Sequence, residues 1–171
     1  SLSSWTAEQF DPRLNWDYVK RIRDRWGGKL MLKGILDPED AELAAQSGAD
    51  ALIVSNHGGR QLDGVISSIA ALPEVVQTVG DRKEVLLDGG IRSGQDVLKA
   101  LALGAKGVFV GRAFLYGLGA YGQAGVTQSL DIIRRELDMT MALCGHRDIR
   151  DIDRSIPRMP LLSNQPDRRA A

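Results

Sequence analysis

His57 stands in the glycine-flanked run Ser55-Asn56-His57-Gly58-Gly59-Arg60-Gln61-Leu62-Asp63, three residues ahead of Arg60. Histidine as a residue type changes charge near neutrality, so it can take a proton from a neighbouring hydroxyl. Arginine presents a planar fork that holds a carboxylate through two hydrogen bonds. Together the pair could anchor an acid and deprotonate it. A second chemistry is suggested by Asp88-Gly89-Gly90-Ile91-Arg92 and by Gly111-Arg112. Glycine amides beside guanidinium groups make a cradle for phosphate, although either motif alone could be a tight turn with a solvated arginine. Lys33 lies within the apolar run LMLKGI. Since burying an unpaired ammonium is costly, it must either snorkel to a rim or balance negative charge on a bound cofactor. Asp88 could accept hydrogen bonds from a polyol or cap its own turn. His146, next to Gly145, has no such company and reads as structural.

The elements that must position these residues alternate along the chain. Residues 30–35, 51–55, 85–88 and 107–110 are short, nearly continuous apolar runs, the pattern of parallel strands covered on both faces. Helices are predicted between them. Asn15 to Trp26 is amphipathic, with Trp16, Val19, Ile22 and Trp26 at helical spacing. Asp37-Pro38 opens the next helix and Gly48 closes it. Residues 66–79 read as helix with a break near Pro73. Ser93 and Asp96 resemble a capping box for a helix ending at Gly104, and 128–144 is a long helix stopped by Gly145. Repeated β-α units imply a parallel sheet. A doubly wound sheet would close in this length, whereas a (β/α)8 barrel needs roughly 200 residues or more, so these units would be its second half. In both architectures ligands bind at the C-terminal ends of the strands, and all four predicted strands end in polar or glycine residues.

Composition narrows the function classes. The 171 residues carry 22 basic and 22 acidic side chains, so no net field draws in nucleic acid. Hydrophobic residues at 43% and charged residues at 26% suit a chain that buries a core. One cysteine excludes an intrachain disulfide and a multi-cysteine metal site, in keeping with a reducing compartment. No apolar run approaches the roughly 18 residues of a membrane span, and SLSSWTAEQF has no signal-peptide pattern.

Taken in order, Lys33 in LKGIL, SNHGGRQLD from Ser55, DGGIR from Asp88 and Gly111-Arg112 resemble the FMN-dependent 2-hydroxy acid dehydrogenases and oxidases. The resemblance runs from about Trp16 to Arg147. It implies an α/β fold, a (β/α)8 TIM barrel of which this chain supplies strands five to eight and the C-terminal helices. Residues 1–156 would be that half barrel and 157–171 a variable tail. It implies FMN as cofactor, with Lys33 beside the flavin N1/O2 edge and Ser55 at the isoalloxazine or ribityl region. Asp88, Gly89, Gly90, Ile91 and Arg92, with Gly111 and Arg112, would hold the ribityl phosphate end. His57 would accept the proton of an L-2-hydroxy acid and Arg60 would bind its carboxylate. Lactate leads among the substrates because GRAFLYGLGAYGQAGV resembles the lactate dehydrogenases of this family; glycolate and mandelate stay open. The expected partners are the N-terminal half of the barrel, an electron acceptor that is quinone, cytochrome or oxygen, and further copies in a homo-oligomer such as a tetramer. No metal is expected. The expected location is cytoplasmic, with peripheral contact at the inner membrane left open. A phosphate-binding barrel enzyme without flavin and a non-catalytic module are the competing readings.

Overall fold

The computed structural model describes residues 13–156; SLSSWTAEQF and the 157–171 tail lie outside them. Helix α1 (Trp16–Trp26) starts where the Asn15 side chain accepts the Tyr18 amide, and it ends at Gly27, whose φ of 67° reverses the chain. Strand β1 (Met31–Ile35) follows. In α2 (Pro38–Gln46), Asp37 accepts the amides of Glu39 and Asp40 while Pro38 occupies the first turn. Strand β2 (Ala51–Val54) leads through a 3₁₀ turn (His57–Gly59) to α3 (Ser68–Val79). Then come β3 (Glu84–Asp88), α4 (Gly94–Ala102) with the Ser93/Asp96 capping box in place, β4 (Gly107–Phe109) and α5 (Arg112–Leu143).

The four strands are parallel and lie in sequence order, β1-β2-β3-β4. Right-handed crossovers that always step the same way put every helix on one face of the sheet. Among the described residues the strand order does not reverse in the way a doubly wound sheet requires. Alternate residues confirm the sidedness: Leu52, Val54, Val85 and Leu87 join Ala41, Leu72, Val75, Val97 and Ile133 in one core. Leu52, Leu72, Leu87, Val75 and Val79 are fully buried, each worth about 1.5–3 kcal/mol.

β2 is buried along its whole length, whereas β1 and β4, at the two ends of the described four strands, and β3 have exposed or half-buried positions. Two expectations are corrected. Helix α3 runs through Pro73 without a break, since Ala71, Leu72, Val75 and Val79 anchor it to the core on both sides of the proline. Helix α5 begins at Arg112, far ahead of residue 128. Its first limb, 112–120, folds back on 123–143 at Tyr121 and Gly122, which leave helical geometry. The glycine-rich sequence that disguised this limb is what permits the fold-back. A β-carbon on Gly125 would lie 1.9 Å from the Gly117 carbonyl oxygen.

Candidate active site

The C-terminal ends of the strands open into one cavity of about 1250 Å³. Lys33, His57, Arg60, Asp88, Gly89, Gly90, Ile91, Arg92, Gly111 and Arg112 all line it, so residues spread over 80 positions of sequence share one space. Ser55 sits just beneath, 1% exposed, and is the hub. Its hydroxyl donates to Asp88 Oδ1, accepts from Lys33 Nζ at 3.0 Å and accepts from the His57 amide at 3.1 Å. Lys33 Nζ also lies 3.3 Å from Asp88 Oδ2. The ammonium is therefore paired, and about two-fifths of the side chain remains exposed toward the cavity. Of the two roles open to Asp88, it caps no turn; it joins β3 to β1 through Lys33 and Ser55.

The turn that carries His57 is held from several sides. His57 has φ 55°, the one described non-glycine residue in the left-handed region, and Gly58 and Gly59 follow at 67° and 71°. Such a conformation costs a non-glycine residue about 1 kcal/mol or more and points to a local role. The Asn56 side chain accepts the Gly58 amide at 3.0 Å, and the Ser68 hydroxyl accepts the Asn56 amide at 3.2 Å. Gly89 leaves room for this network, because a β-carbon there would lie 3.0 Å from Ser68 Oγ. Arg112 reaches back from α5 to donate to the Gly58 carbonyl at 3.4 Å. Arg60 follows the turn, exposed at the cavity wall.

The two glycine-arginine motifs differ in detail. In the β3–α4 loop, Asp96 accepts the amides of Arg92 and Ser93 at 3.0 Å each, and Glu136 accepts that of Gly94 at 2.9 Å. The start of α4 is thus neutralised by carboxylates of the protein. Ile91 turns its side chain into the core, leaving its backbone for any ligand contact. The start of α5 has no such cap: Gly111 precedes the short first limb, 112–120, with no side chain on its first amides. Nothing lies within 4 Å of where a β-carbon on Gly111 or Gly90 would stand. Uncapped amides, a helix dipole and the guanidinium groups of Arg92 and Arg112 converge on that space. The cavity thus offers the uncapped amides of α5 and two guanidinium groups able to take an anion, and the paired Lys33 and Asp88 line it as well.

Comparison with known proteins decides the family. The model of the FMN-dependent dehydrogenase family matches residues 1–159. The chain belongs to that family. It is 58% identical over 152 residues to an L-lactate dehydrogenase of Caulobacter vibrioides, covering 89% of this chain and 40% of that protein. An L-lactate dehydrogenase of Pseudomonas syringae is 55% identical over 152 residues, again with 89% and 40% covered. Among solved structures, the monotopic membrane protein (S)-mandelate dehydrogenase superposes with a TM-score of 0.85 at 44% identity, covering 90% of this chain and 41% of that one. Mandelate oxidase with (S)-2-phenylpropionate gives 0.76 at 48% identity, with 80% and 41% covered. The chain thus spans about two-fifths of the length of these relatives. Membership makes FMN the cofactor and the fold a (β/α)8 barrel, of which the four β-α units described here are a part.

Sequence reasoning missed Asn56, Ser68, Asp96 as an amide acceptor for Arg92, and the reach of Arg112 to the Gly58 carbonyl. Asn56 had a readable signal, an Asx turn ahead of two glycines. Ser68 and Arg112 had none, because their partners lie 12 and 54 residues away. Among the described residues no group of three or more metal-ligating side chains occurs, and no helix is long and apolar enough to cross a membrane.

Proposed function

We propose that the complete protein oxidises an L-2-hydroxy acid to the 2-keto acid, with lactate as substrate and FMN as cofactor. The observation that carries this reading is the convergence of His57 and Arg60 with the Lys33-Ser55-Asp88 network and the uncapped start of α5 in one cavity. Arg60 binds the substrate carboxylate through its fork. His57 accepts the proton released as the substrate carbon becomes a carbonyl. When bound, FMN takes up the two electrons that leave the substrate. Lys33 puts a positive charge at the cavity end where the ring system binds, and Ser55 and Asp88 hold that charge in place. Gly90, Arg92, Gly111 and Arg112 take the phosphate, with the backbone of Gly89 and Ile91 completing the wall.

Lactate is preferred over mandelate because two lactate dehydrogenases are 58% and 55% identical to this chain, against 44% for the mandelate dehydrogenase and 48% for the mandelate oxidase. The further partners in this reading are the remaining barrel strands, supplied before strand five, an electron acceptor (quinone, cytochrome or oxygen) and identical subunits. Residues 1–156 form the half barrel and 157–171 its tail. The location is cytoplasmic with peripheral membrane contact, a reading supported by the monotopic membrane character of one structural relative.

Anaerobic addition of L-lactate to the complete FMN-loaded protein should bleach the flavin absorbance. His57→Gln should keep the yellow colour and lose about 10²–10⁴-fold in reduction rate. Turnover near normal in that variant overturns the proton-acceptor role. Bleaching by mandelate and not lactate overturns the substrate.

A further inference from the structure

Residues i and i+2 of a strand normally share a face. In β1 that alternation is interrupted: Lys33 pairs with Ile53 and Ile35 pairs with Val54, so Gly34 is an extra residue. Its φ of 105° is one that glycine alone adopts without strain. The bulge turns Ile35 into the helix-side core while Lys33 stays on the cavity side with Ser55. It also brings a residue without a side chain against the ring of His57. A β-carbon on Gly34 would lie 3.2 Å from His57 Cε1 and 4.0 Å from Nδ1. The shorter distance is inside the ordinary carbon-carbon separation of about 3.5–4.0 Å.

We propose that the Gly34 bulge is the seat of the His57 imidazole, making Gly34 a positioning residue for the reaction. The backbone of His57 is pinned independently: its amide donates to Ser55 Oγ at 3.1 Å, the next amide donates to Asn56 Oδ1, and the next carbonyl accepts from Arg112. With the main chain of His57 held, a methyl group at position 34 presses on the ring, which must give by a few tenths of an ångström. The Cε1 and Nδ1 edge of the imidazole rests on β1, which sets the direction in which the rest of the ring faces the cavity. The catalytic consequence rests on His57 being the proton acceptor; the packing relation does not.

The test is a double-mutant cycle on the complete FMN-loaded protein, with Gly34→Ala, His57→Ala and both together. Gly145→Ala, at φ 79° with nothing within 4 Å, is the control for a left-handed site without a neighbour and should not couple to His57→Ala. Gly34→Ala should lower Tm further in the wild-type background than in the His57→Ala background, and that excess is the coupling. If Gly34→Ala alone does not fold, recovery of folding in the double variant is the same result. A Tm loss just as large without the imidazole, or a double variant that also fails to fold, overturns the proposal. In the activity arm, Gly34→Ala should retain FMN and lose about tenfold in kcat for L-lactate with KM little changed. Relief of the Tm excess with kcat unaltered overturns Gly34 as a positioning residue for the reaction, while loss of turnover in His57→Gln separately tests the proton acceptor.

Discussion

Ser55 is the residue on which most of the site's order depends. One hydroxyl serves three partners from three consecutive strand ends: Lys33, Asp88 and the His57 amide. The hydroxyl itself is buried at 1% exposure, while its partners Lys33 and Asp88 border the cavity. Ser55→Ala should therefore cost about 0.5–1.5 kcal/mol in denaturant unfolding of the complete protein, the net worth of a hydrogen bond whose partners keep each other or the cavity. It should also slow flavin reduction, because Lys33 and the His57 turn lose a shared anchor. Wild-type stability in that variant would contradict the hub role. The one-residue spacing between Ser55 and His57 is readable in the sequence; the lysine and carboxylate that meet at Ser55 are 22 and 33 residues away.

Among the elements, α5 links stability to the proposed phosphate cradle. Its first limb begins at the cradle and crosses its second where Gly117 and Gly125 touch. The second limb packs on α4, where a β-carbon on Gly94 would lie 1.9 Å from the Leu137 amide nitrogen. Gly125→Ala must push the limbs apart; overpacking of this kind costs about 1–3 kcal/mol. Because the displaced limb carries Gly111 and Arg112, FMN should also bind more weakly, which titration of the apoprotein measures. Gly119→Ala, on the same limb with nothing within 4 Å, should leave FMN affinity unchanged and gain about 0.5–1 kcal/mol from helix propensity. Equal effects of the two substitutions would show that composition and not the crossing matters.

Across the whole molecule the two ends of the sheet divide the work. The cavity lies at the C-terminal ends, while Asp50, just before β2, ties the opposite end together. Its carboxylate accepts the Leu30 amide at 2.8 Å, Lys29 Nζ at 2.9 Å and Arg23 of α1 at 2.9 Å. The Leu30 amide first, then the hydrogen bond from Lys29 and the charges of Lys29 and Arg23, hold the Asp50 pKa down from 3.8 to about 2. A depressed carboxylate stabilises the fold above the unfolded-state value and loses that contribution as pH falls through the folded value. The contribution of Asp50 should therefore be whole above pH 4 and fade between about 4 and 2. Asp50→Asn should lower Tm at pH 7 and flatten the acid limb of a Tm–pH profile, with flavin reduction by L-lactate unchanged. An unaltered acid limb would show that the ion cluster contributes nothing.

By itself the sequence determined the β-α alternation, the helix caps at Asp37 and Ser93, and the chemical character of each strand end. These are local: a cap needs its own amides, and an apolar run needs only its neighbours. It also determined that His57 sits in a turn of glycines, since a left-handed stretch demands them. Tertiary structure alone decided the rest. Sequential strand order with helices on one face, which separates a barrel from a doubly wound sheet, is a relation between strands and not within them. The helix hidden in 112–120 and the unbroken α3 are cases where packing overrode glycine and proline. The contact of Gly34 with His57 was invisible for the same reason: a glycine records the absence of a side chain, and only the neighbouring strand shows what fills that space.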